Sequence, residues 1–137
     1  MPSYLAFRAA RHRLLIDVRY IREVIPADRL VAAGRNWRGK PVPALDLSRL
    51  LGGGGDGGRG GLVVEGADGG ALILEVDEIG KIHHLDRRAF RPLPPLPRAA
   101  AALFDGLLVG GGGGTGMLRL RRRALDAGLS RERREGE

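Results

Sequence analysis

Short β-like runs recur along this 137-residue chain, and glycine, proline or a polar cluster ends each one within a few residues. Tyr4 to Phe7 and Leu14 to Val18 are the first two, separated by a polar Arg11-His12-Arg13 turn. The second run continues to Ile25, where Val18, Ile21, Val24 and Ile25 follow three- and four-residue spacing and predict one helical turn between strands. Pro26 ends it, because proline disfavours helical geometry in the residue before it. Residues 61–65 and 71–76 predict a hairpin, Leu107 to Val109 and Met117 to Leu120 a last strand pair. Such punctuation points to an all-β barrel or sandwich with short helical turns.

Several connecting segments are equally constrained. Leu30 to Ala33 predicts a short helical turn stopped by Gly34. Pro41 and Pro43 cannot donate to a sheet ladder, so their segment belongs to an edge, a bulge or a strand entrance. Gly52 to Gly61 reads as a flexible glycine loop. Ile79, Ile82 and Leu85 continue an extended, partly buried course, and Arg91 to Pro97, with four prolines, is a further extended crossing. Arg98 to Phe104 is an alanine-rich candidate helix, and Ser130 to Glu137 a frayed, charged end.

The length fits one domain, residues 1–126, with residues 127–137 as a charged tail. No cysteine is present, which excludes disulfides and thiolate metal sites. The Met1 to His12 segment carries charge where a secretory signal needs an apolar core. The apolar run Ala71 to Leu74 is too short for a bilayer. A cytoplasmic protein without membrane insertion is expected. The net charge of +7 admits a second reading, a small basic β-barrel that binds nucleic acid. Against it stand aromatics at only 4% and arginines spread along the chain.

Catalytic constellations are incomplete. Gly34 to Lys40 approaches the phosphate-binding loop G-x-x-x-x-G-K-[ST], but Pro41 stands where a hydroxyl must meet magnesium and removes the N–H that would open the helix. His83 and His84 are adjacent, so on a strand they face opposite sides and cannot share one ion. Glu75, Asp77 and Glu78 lack an accompanying nucleophile and read as solvated strand charges; Ser3, Ser48 and Ser130 sit in no nucleophile elbow. No enzyme, cofactor, metal site or small-molecule substrate is expected.

The stretch Asn36-Trp37-Arg38-Gly39-Lys40-Pro41-Val42-Pro43-Ala44-Leu45-Asp46-Leu47 carries the most specific signal. It resembles the N-x-R-G-x-x-x-P-x-x-D-L signature of CheW-like domains, the adaptor modules of bacterial chemosensory arrays. Other segments follow in the family's order: Tyr4 to Phe7 is similar to its first strand, Leu14 to Ile25 to "f-a-l-p-v-x-x-V-x-E-V-i", with Asp17 where proline is frequent, and Leu72 to Gly80 to the strand centred on Val76-Asp77. Phe104 to Leu107 resembles the late turn built on Gly106, and Met117 to Leu120 the final strand. Two departures stand out. Only twelve residues separate Glu23 from Asn36, fewer than is usual, and Trp37 replaces a customary small aliphatic residue. Arg119 and Arg121 also lie near a position where aspartate is common.

The resemblance implies two small five-stranded antiparallel, SH3-like barrels packed on a shared core. It implies binding rather than catalysis: an adaptor joining the regulatory domain of a CheA-type histidine kinase to the cytoplasmic tip of chemoreceptors, recruited to membrane-associated arrays. The shortened connection leaves room for a degenerate regulator that binds one partner only. Glu23, Val24, Asn36, Trp37, Arg38 and Gly39 are candidate protein contacts; Pro43, Asp46, Leu47, Asp77 and Gly106 are candidate structural positions. Gly39 suits a turn that tolerates no side chain. Asp46 suits a cap for the turn at Ser48 to Leu50. Val24, the apolar member of the Glu23-Val24 pair, is expected in the core. Arg38 fits either a structural lock or a grip on a partner carboxylate, and Trp37 either a core position or an exposed anchor.

Overall fold

A computed structural model describes residues 2–29, 36–52, 60–65, 70–93, 95, 98, 103–109 and 116–121. Strands β1 (Ser3–Ala9) and β2 (His12–Asp17) form a hairpin in which Tyr4 faces Asp17 and Ala9 faces His12. Its two-residue turn is Ala10-Arg11, both left-handed, with φ of 50° and 70°. Positive φ at both central positions matches the right-handed twist of the strands. The turn thus falls ahead of the expected Arg11-His12-Arg13, and His12 and Arg13 lie in β2.

Asp17 accepts the Arg19 N–H and caps a 3-10 turn, Val18–Tyr20, before β3 (Ile21–Pro26). The predicted helical turn is present but brief. A two-stranded ribbon, β4 (Asn36–Trp37) and β5 (Lys40–Pro41), leads to β6 (Ala44–Asp46) and the one-turn helix α1 (Leu47–Leu50). Then come β7 (Gly60–Glu65), β8 (Ala71–Val76), β9 (Glu78–His84), a second 3-10 turn (Arg87–Ala89), β10 (Phe90–Arg91), β11 (Phe104–Leu108) and β12 (Met117–Leu120). The β7–β8 hairpin is the one read from sequence, with Glu65 opposite Ala71. β7 starts at Gly60, so the glycine loop ends earlier than expected, and Phe104 opens a strand rather than closing a helix. The expected turn at Leu30 to Ala33 and the tail at residues 127–137 lie outside the described residues.

The all-β expectation holds, with a difference in closure. Among the described residues the strands form open sheets: six strands ordered β10-β11-β12-β2-β1-β9, four ordered β3-β7-β8-β6, and the β4-β5 ribbon. Two neighbours are parallel, β12 with β2 and β6 with β8, where antiparallel barrels were expected.

Alternation along β7 and β8 divides the interior in two. Leu62, Val64, Leu72 and Leu74, with Leu45 of the same sheet, face the main core and meet Leu5, Phe7, Leu14 and Phe104 from the other sheet and Leu47 from α1. Val63 and Ile73 face the opposite side, with Ile25, under Trp37, Val42 and Ala44. Each such aliphatic side chain taken from water contributes about 1.5–3 kcal/mol. The ribbon is therefore a lid on the outer face of the four-stranded sheet.

A candidate docking surface at the β3 edge

The ribbon turn is Arg38-Gly39, with φ of 52° and 75°. Nothing lies within 4 Å of a Cβ placed on Gly39, so its backbone conformation, not crowding, favours glycine there. Trp37 is half-buried on the second apolar cluster. Its Nε1 donates to Glu23 Oε2 at 2.6 Å, tying the ribbon to β3. Arg29 approaches the same carboxylate at 3.7 Å. The guanidinium of Arg38 sits 4.5 Å from the Trp37 ring centre, and that of Arg22 at 6.0 Å. Glu23, Trp37, Arg38 and Gly39 are thus gathered at one end of the four-stranded sheet, and Asn36 pairs with Pro41 behind them.

Val24 is not a core residue. It is 42% exposed, because Glu23 and Ile25 take the strand face turned toward the Trp37 lid and leave Val24 on the other face of an edge strand. A register shift between Ile21 and Glu23 sets this alternation, letting Ile21 pack on the main core. Val24, Pro26 and Ala27 line an open groove whose other wall is Asp77, Glu78 and Ile79 at the start of β9. The groove brings together ends of both sheets. Sequence pattern placed Ile79 on an extended course but gave no sign that it would face Val24, since the two strands do not pair.

Of the structural positions, Asp77 lines this groove, whereas Pro43, Asp46, Leu47 and Gly106 are not among its lining residues. The Pro43 carbonyl accepts the Ile73 N–H at 2.8 Å and starts the parallel β6–β8 pairing. Asp46 Oδ1 accepts the Arg49 N–H at 3.2 Å and caps α1, and Leu47 is fully buried. Asp77 is not a solvated strand charge: its Oδ2 accepts the Ala10 N–H at 2.9 Å, which Ser48 Oγ also approaches at 3.1 Å. Gly106 lies where β11 shifts register, and a Cβ there would come within 3.3 Å of Phe90 and Arg119. Arg119 stacks 4.1 Å from the Phe90 ring centre and donates from Nε to Asp105 Oδ1 at 2.6 Å. It is a structural clamp across β10, β11 and β12 that the sequence did not reveal.

The titration of Asp17 is displaced downward. Burial pushes it up, but hydrogen bonds from the Arg19 side chain and backbone, and the Arg19 charge, outweigh burial and hold it below the ordinary value. Arg19 Nη2 lies 2.8 Å from Asp17 Oδ2.

The CheW-like domain profile matches residues 3–122. The chain belongs to the CheW-like domain family. Among solved structures it is similar to the scaffolding protein TtCheW from Thermoanaerobacter tengcongensis, at 22% identity over 88% of this chain and 90% of that one, with a TM-score of 0.70. That likeness shows a shared fold. No curated protein sequence matches it. As a CheW-like domain the chain is a non-catalytic scaffold of chemosensory signalling, a family that couples receptors to a CheA-type kinase. No helix among the described residues is long and apolar enough to cross a membrane.

Proposed function

We propose that this CheW-like domain joins the regulatory domain of a CheA-type histidine kinase to the cytoplasmic tip of a chemoreceptor, and is carried to membrane-associated receptor arrays by the latter contact. The observation that supports this reading is the exposure of Val24 on an edge strand, beside Pro26 and Ile79 in an open groove. An exposed aliphatic on the last strand of a sheet offers apolar contact beside a strand edge. Glu23, Asn36, Trp37, Arg38 and Gly39 would form the polar rim. Pro43, Asp46, Leu47, Asp77 and Gly106 would hold the frame.

Charge pairing weighs against the nucleic-acid alternative. Arg8, Arg19, Arg22, Arg29 and Arg119 are each within ion-pair distance of a carboxylate. Arginines so engaged are less available to phosphates. Titration calorimetry of the full chain with the kinase regulatory domain and with a receptor hairpin tests the proposal. Binding to both supports coupling, binding to one supports the single-partner regulator, and binding to neither overturns the adaptor reading.

A further inference from the structure

Two unfavourable choices meet at the tip of the β1–β2 hairpin. Ala10 and Arg11 hold left-handed φ of 50° and 70°, where asparagine and glycine build the same turn with less strain. Arg8 and Arg13 stand directly opposite one another across the hairpin, an arrangement of like charges that opposes strand pairing. Glu78 relieves one of them: its Oε2 lies 2.6 Å from Arg8 Nη2 on the other side of β1. Arg11, His12 and Arg13 are all exposed, and no ion pair or side-chain hydrogen bond of theirs occurs among the described residues. The strained backbone is nevertheless fixed, since Asp77 and Ser48 hold the Ala10 N–H at 2.9 and 3.1 Å. The outcome is unpaired positive charge on a rigid turn, at a cost in stability.

We infer that the tip formed by residues 10–13 is a docking point for an acidic peptide segment of a protein partner, with the Arg11 and Arg13 guanidiniums gripping its carboxylates. The planar fork of a guanidinium matches a carboxylate geometrically. Charges already in place on a fixed turn also lower the ordering entropy that binding must overcome. A nucleic acid is the other class of polyanion, and the tip suits it poorly. No aromatic side chain among the described residues is exposed, so bases find no stacking platform. The Glu78 carboxylate beside Arg8 also opposes a continuous run of phosphates. The tip acts through charge, whereas the Val24 groove is largely apolar, so docking at the tip does not depend on what fills that groove.

Fluorescence anisotropy tests this with the full chain, a labelled oligoglutamate peptide and a labelled single-stranded oligonucleotide of equal charge, at low and high salt. The variants are Arg11→Gly, Arg13→Gln and the two combined. Arg87→Gln/Arg88→Gln is the control, removing the same net charge from the exposed second 3-10 turn. The parent is expected to bind the peptide more tightly than the oligonucleotide, with an affinity that falls as salt rises. The combined variant should bind the peptide about fivefold more weakly at low salt, while the control binds nearly as the parent. Arg13→Gln alone should weaken binding about twofold, which keeps the test in hand if Arg11→Gly perturbs the turn. Thermal unfolding separates docking from folding. Arg11→Gly should raise the midpoint by relieving the left-handed strain, and Arg13→Gln should not lower it, because a like-charge pair is lost. Weaker binding by a protein no less stable identifies docking residues. The inference is overturned if the parent does not bind the peptide, if the control loses as much, or if the oligonucleotide binds more tightly. Lowered midpoints in both single variants would also overturn it and leave Arg11 and Arg13 structural.

Discussion

Asp77 accepts the backbone N–H of Ala10 at 2.9 Å, joining residues 67 apart in the chain. Through this contact the linker between β8 and β9 fixes the tip of the β1–β2 hairpin. The Asp77 N–H donates in turn to the Arg8 carbonyl at 2.9 Å. Together the contacts explain how Ala10 and Arg11 hold a turn normally given to asparagine and glycine.

Removing that acceptor should be costly. Asp77→Ala is expected to destabilise the fold by about 1–3 kcal/mol, seen as a lower urea midpoint. Ser48→Ala should cost less, because Asp77 remains as an acceptor. Ala10→Gly should raise stability by about 0.5–1 kcal/mol, since it relieves the left-handed strain. A lower midpoint for Ala10→Gly would show that the turn is not strained.

Asp17 sets an acid limit. Its folded-state value lies below the unfolded one near 3.8, so its contribution is complete above that pH and is lost as pH falls through the folded value. Asp17→Asn should therefore destabilise at pH 7, by about 1–3 kcal/mol, with the gap to the parent closing toward pH 2. Urea titrations at the two pH values measure it. A gap that stays constant with pH would show that the charge of Asp17 contributes nothing.

Gly106 lets Phe90 and Arg119 pack against β11. Gly106→Ala puts a methyl 3.3 Å from both, so one must shift. A loss of about 1–3 kcal/mol is expected, with a lower thermal midpoint. Gly39→Ala meets no atom and should cost only the backbone strain of positive φ, about 1 kcal/mol.

The parts of the fold visible in sequence are those governed by local chemistry. The hairpin of β7 and β8 shows in its apolar alternation, Asp46 in its capping position, and Met117–Leu120 in a run bounded by glycine. The parallel pairings of β6 with β8 and β12 with β2 join strands distant in the chain, and no local pattern encodes them. Val24, as the apolar member of the Glu23-Val24 pair, is expected in the core; the shift between Ile21 and Glu23 resets the alternation and turns it outward. Asp77 looked like one of three solvated acids, since its acceptor role depends on a backbone N–H brought from the opposite end of the fold. Among candidate contacts the motif kept Trp37, Arg38 and Gly39 together, but the Trp37 to Glu23 hydrogen bond needed β3 and the ribbon to meet.

Val24 separates docking from folding most cleanly. It is already 42% exposed, so Val24→Glu should change stability by no more than about 0.5 kcal/mol. If the groove between Val24, Pro26 and Ile79 receives a partner, the same change buries an unpaired carboxylate there, and affinity should fall at least about tenfold. Ile73→Ala supplies the opposite control. Ile73 is fully buried under the Trp37 lid, so its truncation should cost about 2–5 kcal/mol of stability. Binding per folded molecule should nevertheless remain near that of the parent. Calorimetric affinities and urea midpoints of the two variants would then move in opposite patterns, and a Val24→Glu protein that binds both partners as tightly as the parent would remove this groove from the docking surface.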